Sequence, residues 1–160
     1  MIKIVDNFLD HSIYKNISDE ISSEYFPWYF NYAKVGNLDY DVFNYQLIHG
    51  FYSNYRVNSG YFELLDPLIA QIGVKSLIRV KANLNPPTKE IVIGGEHVDQ
   101  DFSCKAAIYY VNTNDGYTLI GDQKIESKAN RIVFFDANTP HSGSNCTNIK
   151  NRIIINLNYF

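Results

Sequence analysis

The chain predicts an α+β fold, with N-terminal helices packed on one sheet of a double-stranded β-helix (jelly roll). Three observations predict it. Two amphipathic helical patterns lie in the first half of the chain. Strand-like segments separated by turn residues fill the second half. The clearest of those strands alternate in character, so each has an apolar face that must be buried against another layer. A length of 160 residues suits one domain, 1–160, with a single sizeable core. A hydrophobic share of 46% separates the chain from disordered sequences.

Ile2 to Val5 reads as a short strand. Asp10 is placed to cap a helix from His11 to Ser23, where Ile13, Ile17 and Ile21 recur at four-residue spacing on one stripe. Tyr25 to Tyr32 is aromatic and reads as extended, and residues 33–50 read as loops and a strand. A second helix is expected from Gly60 to Gly73, burying Phe62, Leu65, Leu68, Ile69 and Ile72. Strands are then expected at Ser76–Leu84, Lys105–Asn112, Thr118–Ile120, Arg131–Asp136 and Arg152–Tyr159. Turn residues such as Gly94-Gly95 and Asn114-Asp115-Gly116 separate them. Arg79, Lys81 and Asn83 share one face of their strand; Arg152, Ile154, Asn156 and Asn158 share one face of the last. These mixed polar faces are expected to line the mouth of the barrel.

A net charge of -3 argues against an overall field for nucleic acid or anionic membrane. No apolar run reaches the length of a membrane span, and the opening MIKIVDNFLDHS has no signal-peptide core. Two cysteines, Cys104 and Cys146, make no disulfide framework, which fits a reducing cytoplasm.

His97-Val98-Asp99 and the distant His141 carry the chemistry. Residues i and i+2 of an extended segment project to one side and can meet one ion. His141 follows the apolar segment Ile132–Phe135 and can arrive from another strand. Each residue alone has an ordinary explanation in a loop or turn; together, two histidines and a carboxylate form a facial set that leaves other positions of iron(II) open. Arg152, eleven residues beyond His141, offers a fixed cation for the far carboxylate of a keto-acid cosubstrate. A cupin-like metal site is the main competing metal reading, but it would more often add a third histidine or a glutamate and has no need of the arginine. His11 and His49 read as non-ligands.

The segments IKIVDNFLDHSIYKNISDEI, IRVKANLNP, HVD, AAIYYVNTNDGYT, NRIVFFDANTPHSG and NRIIINLNYF, in that order, resemble the iron(II)- and 2-oxoglutarate-dependent dioxygenases, specifically the prolyl-4-hydroxylase-like branch. The phrases KANL and NTNDGYT look most like small oxygenases carried by bacteriophages, which would place the protein in the host cytoplasm. The resemblance implies that His97, Asp99 and His141 bind iron and that Arg152 pairs with the distal carboxylate of 2-oxoglutarate. It also implies that Tyr110 hydrogen-bonds that carboxylate while Tyr109 faces the opposite way. Relatives often carry a tyrosine on the strand before the metal motif; here Asn83 is the substitute. Their Gly-Gly-Glu-Leu-like strand is replaced by Gly116-Tyr117-Thr118-Leu119-Ile120-Gly121. Asn156 is expected to approach the cosubstrate or iron. Arg79 and Lys81 are expected to hold an anionic part of a substrate or to be ordinary salt-bridge charges. Arg131 is expected to stabilise the strand leading to His141, and Asp101 is expected to be a loop residue.

The implied activity is hydroxylation of a peptidyl (prolyl-type) or small-molecule substrate by O2, with release of succinate and carbon dioxide and with ascorbate as an optional reductant. The loops at 33–58 and 85–95 are the expected substrate elements. Two other classes stand beside this one: a non-catalytic jelly-roll binding or virion-associated protein, and a nucleic-acid demethylase, which the acidic total weakens.

Overall fold

The computed structural model describes residues 1–31 and 45–160. In chain order the strands are β1 (Lys3–Val5), β2 (Tyr29–Asn31), β3 (Gln46–Ser53), β4 (Arg56–Val57), β5 (Leu77–Asn85), β6 (Lys105–Tyr110), β7 (Tyr117–Ile120), β8 (Gln123–Glu126), β9 (Arg131–Asp136), β10 (His141–Gly143) and β11 (Arg152–Tyr159). Helix α1 spans His11–Ile21. Helix α2 spans Asp66–Ile72 and follows a 3-10 turn at Phe62–Leu65. An antiparallel eight-stranded sheet runs β1-β9-β6-β11-β5-β3-β2, with β4 paired to β3, and a three-stranded sheet runs β10-β7-β8. This is the two-sheet jelly roll anticipated above.

Each face of the large sheet contributes to a hydrophobic cluster of its own. On one side Val80, Ala82, Tyr109, Ile132, Ile153, Ile155 and Leu157 share a buried core with Ile17, Ile21, Leu65 and Leu68. On the other, Ala106, Ile108, Val133, Phe135 and Ile154 pack with Ile120 and Ile125 of the small sheet. Each fully buried aliphatic side chain contributes about 1.5–3 kcal/mol, so the two layers hold the strands that carry the site in fixed register. Tyr109 lies in the first cluster, as alternation requires, and donates its hydroxyl proton to Asn130 at 2.9 Å. Asn130 sits at φ 59°, a conformation asparagine tolerates, and its amide also pairs with both backbone groups of Leu9.

Several expectations are corrected. The helix expected over Gly60–Gly73 is split, because Pro67 lacks an N–H and belongs at the start of a helix rather than inside one. Asp10 precedes α1, but its side chain makes no capping hydrogen bond. Tyr25 and Phe26 form a turn, with extended structure only from Tyr29 to Asn31. Residues 46–57 are strands β3 and β4, not a substrate loop. Tyr32 and the remainder of the 33–50 expectation, including Tyr40 and Phe43, lie outside the described residues. Arg131 does tie β9 down, through Asp6 at 2.6 Å. No helix among the described residues is long and apolar enough to cross a membrane.

His49 is buried on β3 among Phe26, Phe51 and Tyr61, with its ring nitrogens on the Pro27 carbonyl and the Ser59 hydroxyl, each at 2.7 Å. Burial pushes its pKa below 6.5. Below that pH the unfolded chain takes up a proton that the folded chain refuses, so this group lowers stability as pH falls, an effect that is absent above it. We expect His49→Gln to flatten the fall in urea-unfolding free energy between pH 7 and 5. An unchanged slope would remove His49 as a contributor.

Candidate metal centre

Loop backbone places the first two ligand candidates. His97 and His141 exchange paired backbone hydrogen bonds at 2.9 and 3.0 Å, Gly94 N–H bonds the Gly143 carbonyl at 2.8 Å, and Asp99 N–H bonds the Ala137 carbonyl at 3.0 Å. The H-x-D segment is thereby laid along β10 as an extra extended stretch. Candidate donor atoms of His97, Asp99 and His141 all lie within 4.8 Å of one another, and Asp99 Oδ2 is 3.8 Å from His141 Nε2.

The histidine tautomers follow from their partners. His97 Nδ1 faces the Gly95 carbonyl at 3.1 Å and His141 Nδ1 faces the Thr139 carbonyl at 3.0 Å. A carbonyl only accepts, so each Nδ1 carries the hydrogen and each Nε2 presents its lone pair. Burial lowers the pKa of His141, which favours the neutral, ligating form.

Asp99 is held as an anion by a cage of donors. Arg79 donates to Oδ1 at 2.6 Å; Asn156 and Asn158 donate to Oδ2 at 3.1 and 3.0 Å. Burial alone would raise its pKa, but Arg79, Asn158 and Asn156 outweigh that and hold it below the usual carboxylate range. Of the two readings left open for Arg79, the ion pair is the one observed. Asp101 is exposed and lies in the loop beyond, as expected.

A cavity of about 90 Å³ opens beside these ligands, far more than the roughly 10–15 Å³ one water needs. Lys81, Asn83 and Asn85 line it from β5, and Arg152, Ile154 and Asn156 from β11. Thr118, His141, Gly143, Gly94 and Gly95 face them from the other side. The polar faces of β5 and β11 therefore do line the barrel mouth. Asn83 and Asn156 are buried there, and each keeps an Oδ1 with no hydrogen-bond partner.

Arg152 is completely buried. It donates to Ser127 Oγ at 2.7 Å, Thr118 Oγ1 at 2.8 Å and the Ser144 carbonyl at 3.2 Å, and lies 5.7 Å from the Tyr110 ring centre. All these partners are neutral, and among the described residues no carboxylate pairs with it. A guanidinium buried without an ion pair is costly, by several kcal/mol, and is complementary to an anion that enters the cavity. Tyr110 is also fully buried, and its hydroxyl donates to Thr118 Oγ1 at 2.9 Å. Thr118, which lines the cavity, accepts from both Arg152 and Tyr110, so its own proton is left to donate. Sequence reasoning missed Thr118, although its place between apolar neighbours on a short strand was the available signal.

Gly116 lets Arg152 reach the cavity. A Cβ at this position would lie 2.6 Å from Arg152 Cδ and would also collide with the Asn145 carbonyl oxygen. We expect Gly116→Ala to displace the guanidinium and weaken binding of a dicarboxylate at least tenfold while metal affinity is unchanged. Calorimetry with and without metal checks both.

No protein-family model and no curated protein matches the chain. Solved structures do. A prolyl hydroxylase from Trichoplax adhaerens, in complex with a hypoxia inducible factor peptide fragment, aligns with TM-score 0.72 at 16% identity over 99% of this chain and 83% of that one. The epimerase SnoN from nogalamycin biosynthesis, in complex with Fe3+, α-ketoglutarate and nogalamycin RO, aligns with TM-score 0.67 at 13% identity, covering 99% and 78%. The viral collagen prolyl hydroxylase of Paramecium Bursaria Chlorella virus-1 aligns with TM-score 0.58 at 14% identity, covering 99% and 90%. At these identities the likeness establishes the fold: the chain has the jelly roll of the prolyl hydroxylases and related 2-oxoglutarate/iron oxygenases.

Proposed function

We propose that this protein is an iron(II)- and 2-oxoglutarate-dependent dioxygenase that hydroxylates a peptidyl, prolyl-type substrate or a small molecule. The observation that carries the reading is Arg152: a buried cation without a carboxylate partner among the described residues, lining the same cavity as a histidine–aspartate–histidine set. The donor set fits a divalent metal with open positions, and the cation fits the far end of a dicarboxylate. The resemblance of the motifs and the likeness of fold both support it.

In this reading His97 Nε2, His141 Nε2 and Asp99 hold the metal. The Asn156–Asn158–Arg79 cage fixes the carboxylate and keeps it ionised. Arg152 and the Thr118 hydroxyl orient the distal carboxylate of 2-oxoglutarate, with Tyr110 fixing the Thr118 proton. Asn83 and Asn156 sit where the body of the cosubstrate would pass. When bound, iron and 2-oxoglutarate would activate O2, one oxygen atom entering succinate as 2-oxoglutarate loses carbon dioxide and the other entering a C–H bond of the substrate.

Substrate class draws on two neighbours: one complex holds a peptide, the other nogalamycin RO. The phage resemblance rests on the sequence phrases, with one structural neighbour itself viral; in a host cytoplasm, ascorbate or another reductant would keep iron reduced. The test is aerobic incubation of the iron-loaded protein with carboxyl-labelled 2-oxoglutarate. Labelled carbon dioxide and stoichiometric succinate, lost in Asp99→Ala, are expected. Folded, iron-loaded protein that forms neither, with or without proline-containing peptides, would favour a non-catalytic jelly roll.

A further inference from the structure

The cavity holds a second cation that the proposed function leaves unused. Lys81 lines it from β5, opposite Asn156 of β11 on one side and Gly50 of β3 on the other. Neither neighbour is anionic, and glycine leaves that flank open. The ammonium makes no hydrogen bond or ion pair among the described residues. Asp99, the carboxylate whose charge acts on Lys81, is already occupied by Arg79, Asn156 and Asn158. Arg79, next on the same strand face, is itself cationic and committed to Asp99.

Asn156 supplies a second, independent indication of a ligand. It is 94% buried, its Nδ2 is committed to Asp99 (which accepts only), and so its orientation is settled. Its Oδ1 is then an acceptor with no partner. Asn83, 93% buried, presents another unpartnered Oδ1 two residues from Lys81 on the same strand face. A cation beside two unfilled amide groups is complementary to a carboxylate with an N–H or O–H donor close to it.

We propose that Lys81 is a carboxylate-binding residue at the metal end of the cavity, so that the cavity carries two anion sites, Arg152 at one end and Lys81 at the other. The two positions are four residues apart along β11 and its partner, roughly 13 Å at 3.3 Å per residue. This rests on the function proposed above for Arg152 but not for Lys81 itself. The carboxylate belongs either to the inner end of the oxo-acid cosubstrate or to the oxidised substrate. In the second case the substrate is a small acid bearing an adjacent donor, of the amino-acid or hydroxy-acid type, or a peptide that presents one.

The test uses the full-length protein loaded with zinc(II), which is diamagnetic and redox-inert, and compares wild type with Lys81→Met and Lys81→Arg. Folding of each is confirmed from its amide spectrum. In the first arm 2-oxoglutarate is titrated calorimetrically. In the second, acetate and its neutral isostere acetamide are titrated, with and without 2-oxoglutarate, while the Asn156 side-chain amide signals are followed. A tenfold or larger loss of 2-oxoglutarate affinity in Lys81→Met, restored in Lys81→Arg, assigns the inner carboxylate. Unchanged 2-oxoglutarate binding, with acetate but not acetamide moving the Asn156 signals only when residue 81 is cationic, assigns the substrate. Equal behaviour of wild type and Lys81→Met in both arms overturns the proposal. If 2-oxoglutarate fails to bind even wild type, the cosubstrate reading fails, and the acetate arm without it still decides for or against Lys81.

Discussion

Arg152→Met is expected to lower 2-oxoglutarate affinity about a hundredfold and leave metal affinity unchanged. The guanidinium is buried before any ligand arrives, held by Ser127, Thr118 and the Ser144 carbonyl. It therefore has little side-chain freedom left to lose on binding. Charge-assisted hydrogen bonds are worth about 1.5–3 kcal/mol each, and about 1.4 kcal/mol corresponds to a factor of ten. A paired contact to one carboxylate thus accounts for roughly two decades. Methionine fills much of the same volume, so the loss reports charge rather than a collapsed core. Arg152→Lys should fall between, because a point charge cannot satisfy two carboxylate oxygens in one plane. Calorimetric titration of 2-oxoglutarate into the metal-loaded variants checks this; equal affinity in wild type and Arg152→Met would remove Arg152 from the cosubstrate site.

Asp99→Ala and His97→Ala are each expected to abolish stoichiometric metal binding. Each removes one of the three side-chain donors that meet there among the described residues. Asn158→Ala gives the graded comparison. It leaves all three ligands but takes away one of the hydrogen bonds that orient Asp99, and such outer contacts are typically worth 10–100-fold in metal affinity. The expected order is therefore wild type, then Asn158→Ala, then the ligand variants. Competition against a chelating dye measures it. Full affinity in either ligand variant would defeat the assignment. Asp99→Ala also strands Arg79, whose side chain is 31% exposed against 3% for Asp99. Its loss of unfolding free energy should accordingly exceed that of His97→Ala.

Where residues must be buried, the sequence was legible. Arg131–Asp136 and Arg152–Tyr159 have the bounds read from their pattern: the first is an apolar run closed by a charge at each end, and the second alternates between a polar and an apolar face. Gln123–Glu126 escaped notice: β8 has a single buried residue, Ile125, and lies at the edge of the small sheet. The three-residue β10 was also missed. It is defined by pairing with β7 and by the bridge between His97 and His141, which are contacts between distant segments and leave no local pattern. The split at Pro67 was readable in principle, since proline at that point argues for a helix start.

The site shows the same division. His97, Asp99, His141 and Arg152 were readable because residue type, spacing and strand alternation restrict what they can do together. The cage around Asp99 was not, because Arg79 and Asn158 approach from β5 and β11 and their meeting depends on register. Arg79 carried two readings in the sequence, substrate cation or ordinary salt bridge, and only its 2.6 Å contact with Asp99 decides between them. Thr118 was hidden for a similar reason. Its importance comes from receiving protons from both Arg152 and Tyr110, residues of two other strands.

In the proposed function one cavity holds iron(II) through the His97–Asp99–His141 set and 2-oxoglutarate through Arg152. The most direct measurement is an anaerobic titration of 2-oxoglutarate into iron(II)-loaded protein, followed by visible absorption. Chelation of iron by the oxo-acid produces a metal-to-ligand charge-transfer band. A saturable band at one equivalent is expected, needing a much higher 2-oxoglutarate concentration in Arg152→Met. Folded protein with verified iron that shows no band at any concentration would contradict it.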